Sequence, residues 1–156
     1  MSQEHTAQEL VTQELTARAT RFVSVLPHCR VLGMQVEYAD GEKVILSLPY
    51  SEAIIGNTTN GVIAGGALTT LMDTACGTAV FNVFHDNEIC PTLDLRIDYF
   101  KAATPGETLR GEAWVDRVTN NVVFAKGQVV EGPDNRIIAT CTANFMRIGK
   151  HIGGKK

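Results

Sequence analysis

The sequence predicts an α+β fold: a curved, mostly antiparallel sheet of about six strands wrapped around one long central helix, with an extra helix at the N-terminus. Three observations predict it. Residues 65 to about 85 carry apolar residues at helical spacing, with no Lys, Arg or Glu between them. Residues 92–147 break into segments that alternate at period two between turn signals. One face of those segments is unusually small: Gly111, Ala113, Ala125, Gly127, Ala139, Cys141 and Ala143. Small residues let a sheet curl closely around a helix.

Residues 6–26 read as an amphipathic helix, because Val11, Leu15, Ala19, Phe22 and Leu26 recur at steps of three or four. Pro27 is expected to help end it. Residues 31–38 and 43–49 read as two strands joined by Ala39-Asp40-Gly41, since Asp and Gly both tolerate positive φ in hairpin turns. Pro49 closes the second strand. Residues 51–64, rich in Gly, Asn and Thr, form a connection longer than a passive loop needs.

The central helix begins at the glycine pair Gly65-Gly66. Leu68, Leu71, Met72, Ala75, Cys76, Ala79, Val80 and Val83 give it an apolar face. Its other side holds Thr69, Thr70, Asp73, Thr74, Gly77 and Thr78. A solvated face would carry charges, so burial nearly all round is expected. Strands are expected at 92–100, 107–118, 122–131 and 136–147. Their turns lie at Thr104-Pro-Gly106, Thr119-Asn-Asn121 and Gly132-Pro-Asp-Asn135. In the first of these strands Leu93, Leu95, Ile97 and Tyr99 are expected on one face, and Thr92, Asp94, Arg96 and Asp98 on the other.

Composition narrows the function classes. The chain has 156 residues, 44% of them hydrophobic, which suits a single globular domain with a real core. No apolar run is long enough for a membrane helix. The polar, acidic N-terminus lacks a signal-peptide pattern, so a cytoplasmic location is expected. Net charge is −3 with scattered basic residues, which argues against a nucleic-acid partner. Cys29, Cys76, Cys90 and Cys141 match no zinc or redox spacing and read as reduced, structural residues. His5, His28, His85 and His151 are not placed with an acid in a catalytic pattern. No metal-ligand cluster stands out.

One stretch carries chemistry: Gly61-Val-Ile-Ala-Gly-Gly-Ala-Leu-Thr-Thr-Leu-Met-Asp73. Asp73 sits about two turns inside an apolar helix, where an ionised carboxylate costs several kcal/mol unless paired. The glycines lack a Cβ, so a ligand can approach backbone N–H groups at the positive end of the helix. Together they suggest a site for a carbonyl that becomes negative during reaction. The structural readings are an acid paired with Arg96, Arg30 or a backbone group, and a glycine turn needing positive φ.

That stretch, with Thr92-Leu-Asp-Leu-Arg-Ile-Asp-Tyr99 and Thr104-Pro-Gly-Glu-Thr-Leu109, resembles the hotdog-fold acyl-CoA thioesterases of the PaaI-like (phenylacetic-acid-degradation) branch. The resemblance spans about residues 30–148. It divides the chain into an N-terminal helix and arm (1–29), a hotdog domain (30–148) and a flexible tail (149–156). The family pattern, G-x-x-H-G-G and an acid seven residues after the second glycine, is kept except at the histidine, here Ala64.

The resemblance implies hydrolysis of an acyl-CoA to a carboxylic acid and CoA. It makes Asp73 the general base or nucleophile. The Gly65 N–H polarises the thioester carbonyl, and Thr92 assists the acid or its water. Asn57, Thr58, Asn60, Ala64 and Gly66 would bind substrate. Arg96, with Lys101, would meet the CoA phosphates, although Arg96 reads equally as a partner in cross-strand ion pairs. No cofactor is implied, CoA being part of the substrate. The implied assembly is a homodimer, or a tetramer, with active sites between subunits. The missing histidine keeps a second reading open, a non-catalytic acyl-CoA or fatty-acyl binding protein. A hydratase would need a His–acid pair that the sequence does not offer.

Overall fold

The computed structural model describes residues 2–84 and 86–148, so His85, His151 and the tail at 149–156 lie outside the described residues. Helix α1 (Ser2–Ser24) is followed by a short α2 (Pro27–Leu32) and a hairpin of β1 (Gln35–Ala39) and β2 (Val44–Leu48). A 3-10 turn (Glu52–Ile54) leads into a small hairpin, β3 (Ile55–Asn57) and β4 (Val62–Ile63). Helix α3 (Gly65–Val83) comes next, then β5 (Thr92–Tyr99), β6 (Leu109–Val118), β7 (Val122–Glu131) and β8 (Arg136–Met146). The main sheet has six strands in the order β1-β2-β6-β7-β8-β5, and every pairing is antiparallel.

The small face of the sheet receives α3, as expected. A Cβ built on Gly111 would lie 2.9 Å from Leu71 Cγ, and one on Gly127 would lie 2.4 Å from Met72 Cε and 2.7 Å from the Glu112 carbonyl oxygen. Leu71, Met72, Ala75 and Cys76 are fully buried there, with Ala113, Ala139 and Ala143 beneath them. The Cys76 and Cys141 sulfurs lie 3.6 Å apart, and all four cysteines are free thiols.

Four local expectations need correction. Pro27 does not simply stop a helix: it stands in the first turn of α2, where its missing N–H is not needed. The first strand therefore starts at Gln35 rather than residue 31. The 39–41 turn does not use a positive-φ glycine. Instead, the Asp40 carboxylate accepts the Glu42 and Lys43 N–H groups, each at 2.7 Å. Burial opposes the ionised form of Asp40, but the Lys43 and Glu42 amides and the Tyr38 hydroxyl outweigh it and hold the carboxyl below its ordinary pKa. Helix α3 is not buried all round either: Gly65, Gly66 and Thr69 are exposed, and Thr70, Asp73, Thr74 and Gly77 half-buried.

Helix α1 joins the same core. Ala19 and Val23 are buried in it, with Leu15, Phe22 and Leu26 packed alongside, whereas Val11 is exposed. Thr16 Oγ1 donates to the Ala39 carbonyl at 3.0 Å and accepts the Ala39 N–H at 2.9 Å, covering the outer edge of β1. The Arg18 guanidinium donates to the carbonyls of Phe81 (3.0 Å) and Phe84, groups that the end of α3 leaves without intrahelical donors.

The helix–sheet fit makes Gly127→Ala costly, because the backbone carbonyl of Glu112 cannot move aside as the Met72 methyl can. A loss of about 1–3 kcal/mol is expected for such overpacking. Gly41→Ala, whose added methyl meets nothing within 4 Å, should stay within about 0.5 kcal/mol. Chemical denaturation midpoints of the two variants check the contrast.

Candidate active site

The site is organised by one row of α3. Gly65, Thr69, Asp73, Gly77 and Phe81 follow each other at steps of four, so they lie on one helix face. Strand β5 runs beside that row and contacts it at two points. Thr92 Oγ1 donates to the Asp73 carboxylate at 2.8 Å. The Tyr99 hydroxyl donates to the Gly65 carbonyl at 3.0 Å and lies 3.0 Å from Thr69 Oγ1, which also donates to Gly65.

A β-bulge makes the first contact possible. Thr92 pairs with Phe145, but Asp94 pairs with Asn144, the next residue along β8, so Leu93 is the extra residue. Paired residues share a face. Thr92 therefore lies with Phe145 on the same side as Leu95 and Ile97, which pair with Ala143 and Cys141. Simple alternation had put Thr92 on the opposite face, with Asp94 and Arg96. The bulge turns Thr92 toward α3 and leaves Leu93 52% exposed. Bulges commonly re-aim a side chain in this way.

Gly65 and Gly66 open α3, and Ala64 precedes them as an N-cap with no side-chain acceptor. The first N–H groups of a helix lack intrahelical acceptors, so this start presents uncapped donors on an exposed surface. Neither glycine has positive φ, which removes the turn reading. A Cβ on Gly66 would meet nothing within 4 Å, and one on Gly65 would reach only the Tyr99 ring and hydroxyl, from 3.4 Å. The chain itself does not demand glycine at position 66.

The 57–60 loop differs from its expected role. Asn57 Oδ1 accepts the Thr59 N–H at 3.0 Å and Asn60 Oδ1 accepts the Val62 N–H at 3.1 Å, so both carboxamide oxygens hold the β3–β4 turn. Thr58 is exposed between them. Arg96 is 71% exposed and bonds Asp98 at 3.0 Å on its own strand. Asp73 is therefore paired with Thr92, and its suggested partner Arg96 is engaged elsewhere. Lys101 lines a surface cavity of about 340 Å³ together with Gly65, Leu68 and Tyr99.

Asp73 and Thr92 line a second cavity, of about 140 Å³, whose apolar walls come from α1, α3 and the segment before β5. Cys90 also borders it. Burial, with the Glu88 carboxylate adding, pushes the Cys90 thiol above its ordinary pKa. It is a thiol at neutral pH and a poor nucleophile. Among the described residues no group of three or more His, Cys, Asp or Glu side chains is arranged to hold a metal, and no helix is long and apolar enough to cross a membrane. Two site features escaped sequence reasoning. Tyr99 was read only as an apolar-face residue, and the bulge at Leu93 has no Gly or Pro to mark it.

A thioesterase superfamily family model matches residues 60–138, which include Ala64, Gly65, Gly66, Asp73, Thr92 and Arg96. The chain belongs to the thioesterase superfamily. It is similar to a Pseudomonas aeruginosa protein of known crystal structure, 51% identical, covering 86% of this chain and 99% of that one, with a TM-score of 0.78. It is 25% identical over 147 residues to YigI of Escherichia coli K12, a medium/long-chain acyl-CoA thioesterase, covering 86% of this chain and 94% of YigI. PaaI of E. coli shares the fold, with a TM-score of 0.75 over 87% of this chain and 95% of PaaI at 18% identity. The architecture is thus the hotdog fold.

An uncapped start to α3 implies a measurable cost. Ala64→Ser, which supplies a capping oxygen to those N–H groups, should raise stability by about 1 kcal/mol. Its oxygen reaches the second or third amide, Gly66 or Ala67, so any activity that uses the Gly66 donor should also fall, whereas one that uses the Gly65 N–H should not. Thermal unfolding and thiol-release assays of this variant check both effects.

Proposed function

We propose that this thioesterase-superfamily protein hydrolyses an acyl-CoA thioester to a carboxylic acid and CoA, with Asp73 as its general base or nucleophile. The Asp73–Thr92 hydrogen bond is the observation that carries this reading. It holds a carboxylate in one orientation beside an apolar cavity, where an acyl group can lie. The acyl-CoA thioesterase activity of YigI supports the substrate class.

Attack on the thioester carbonyl produces a tetrahedral species with a negative oxygen. The Gly65 N–H, at the positive end of α3, is suited to stabilise it. Gly66, with open space where a Cβ would stand, lets the substrate approach that donor. Asp73 either removes a proton from the attacking water or attacks the carbonyl itself, in which case the mixed anhydride left on Asp73 after CoA departs is hydrolysed by water to the carboxylic acid. Collapse of the intermediate breaks the C–S bond, and CoA leaves as a thiolate. A thiol has an ordinary pKa of about 8.5, so the leaving sulfur needs little help from an acid. This makes the lost histidine dispensable to the chemistry. Lys101, beside Gly65, is the better placed cation for the CoA arm. Arg96 is occupied by Asp98.

Gly65 and Asp73 of one chain do not serve the same carbonyl. Eight residues along a helix separate them by about 12 Å, against the ~3 Å reach of each group. The site is therefore completed by a second copy, Asp73 from one protomer and Gly65 from its partner. Strand β5 is at the open edge of the sheet and exposes Leu93, Tyr99 and, just after it, Phe100. An antiparallel two-fold pairing along this edge fits the isologous interface of a dimer. No cofactor takes part. A cytoplasmic setting suits the substrate.

Asp73→Asn should lower turnover by about 10²–10⁴-fold across an acyl-CoA panel. Equal turnover in wild type and variant would remove Asp73 from the mechanism. Tight binding without hydrolysis by the wild type would support the binding-only reading that Ala64 suggested. Gly65→Pro deletes the N–H donor at a helix position that accepts proline, after a residue whose φ −63 and ψ 137 already suit a proline neighbour. It should lose about 10²–10³-fold while staying folded. Co-refolding the two inactive variants should restore about a quarter of wild-type activity, as random pairing into two-fold dimers requires. No restoration would mean that each site lies within one chain.

A further inference from the structure

We infer that the stacked pair Phe22–Phe81 closes the cavity beside Asp73 and limits the substrate's acyl group to about six carbons or one aryl ring. This inference rests on the thioester reading of the site. The cavity has a polar part, Asp73 and Thr92, and apolar walls that include Phe22, Leu26, Gly77, Phe81, Ile89 and Phe145. Its volume is about 140 Å³. A protein cavity of about 150 Å³ accommodates one benzene molecule, six carbons in all.

The closure is rigid. The Phe22 and Phe81 rings stack at 4.5 Å between centroids and 15° between planes. Arg18 lies over the far side of this arrangement, 4.5 Å from the Phe81 centroid, and bonds the Phe81 and Phe84 carbonyls. Asn82 Nδ2 donates to the Leu15 carbonyl at 3.3 Å. These contacts tie α1 to the end of α3, so the wall that Phe22 forms does not swing away from Phe81. The cavity opens to the surface on another side, but a longer chain directed along α3 would have to part a ring stack, a cation over a ring and hydrogen bonds at once.

Gly77 gives an independent sign that the space is used. Glycine inside a helix costs about 0.5–1 kcal/mol relative to alanine. A Cβ at this position would meet only Phe145 Cε1, at an ordinary 3.6 Å. Packing within the chain therefore does not require glycine there. A side chain would instead project into the cavity, one turn along from Asp73. The absent methyl leaves room for the acyl group.

The two walls permit opposite tests. Wild type, Phe22→Ala, Phe22→Leu and Gly77→Ala are assayed for kcat/KM against straight-chain CoA esters from acetyl to palmitoyl and against benzoyl- and phenylacetyl-CoA. Binding of the matching non-hydrolysable thioether analogues is measured in parallel by calorimetry. Wild type should peak near hexanoyl or a single aryl ring, shorter than the medium and long chains named for YigI. Phe22→Ala should raise the dodecanoyl-to-hexanoyl ratio by about tenfold or more, and Gly77→Ala should shift the optimum toward shorter chains, since one methylene in a pocket is worth about 10-fold or more. Phe22→Leu should fall between wild type and Phe22→Ala.

A wild-type preference for long chains, or variants that scale every substrate equally, would overturn the inference while leaving hydrolysis intact. Thioether binding with the expected length profile but no hydrolysis would support the pocket and sink the hydrolytic reading. Absence of binding and turnover would overturn both. If Phe22→Ala does not fold, Gly77→Ala decides the matter, because its methyl has room in the fold.

Discussion

The close seating of α3 on the sheet is the constraint on which the rest of the structure depends. Leu71 and Met72 occupy the space that side chains at Gly111 and Gly127 would fill. This contact leaves α3 little freedom to rotate, since close-packed interiors resist even one extra methylene. With Leu71, Met72, Ala75 and Cys76 committed to the sheet, the row Gly65–Thr69–Asp73–Gly77–Phe81 turns toward β5 and α1. The rotational setting of the helix thus determines which residues can meet Thr92, Tyr99 and Phe22. A core contact made by glycine and methionine decides where a carboxylate points.

Strand β5 and helix α1 then divide that row between them. Tyr99 and Thr92 fix its first half through hydrogen bonds to Gly65 and Asp73, and Phe22 and Arg18 fix its last turn. Between the two lies the cavity. Ile89, Cys90 and Pro91, which close its third side, follow a residue held by Arg147. That guanidinium binds Glu88 at 3.0 Å and lies 4.4 Å from the Phe84 centroid. Two of the three sides are therefore anchored by a cation that also satisfies carbonyl or carboxylate oxygens, and the β5 side by hydroxyl groups.

Features governed by local periodicity were legible in the sequence. The spacing from Gly65 to Asp73, the small face of the sheet and the order of its six main strands and two long helices all follow from helix and strand repeats, whereas the short α2, β3 and β4 do not. What escaped depended on residues far apart or on a one-residue irregularity. Proline signals both helix ends and helix starts, and Pro27 does both: α1 stops before it and α2 begins at it. The bulge at Leu93 shifts Thr92 across the sheet without any Gly or Pro to announce it. The stack of Phe22 on Phe81 joins residues 59 positions apart, and no local pattern reveals it. The Asp73–Thr92 pairing itself came from family resemblance, since alternation alone pointed Thr92 the wrong way.

The replacement of the family histidine by Ala64 becomes intelligible once the turn around it is seen. The backbone holds this turn without a side chain at position 64. The Ala64 N–H donates to the Ile54 carbonyl at 2.8 Å, and the Ala64 carbonyl accepts the Ala67 N–H at 3.0 Å. On the other side, the Tyr50 hydroxyl donates to the Gly61 carbonyl at 2.8 Å, and the Gly61 N–H reaches the Asn57 carbonyl at 2.8 Å. A Cβ on Gly56 would lie 2.8 Å from Ala64 Cα, so the β3–β4 hairpin presses directly on this residue. Alanine also brings no side-chain acceptor to the helix start, and the Gly65 and Gly66 amides keep their capacity for an external oxygen. A position that looks degenerate beside the family pattern is thus compatible with the donor arrangement that thioester chemistry requires.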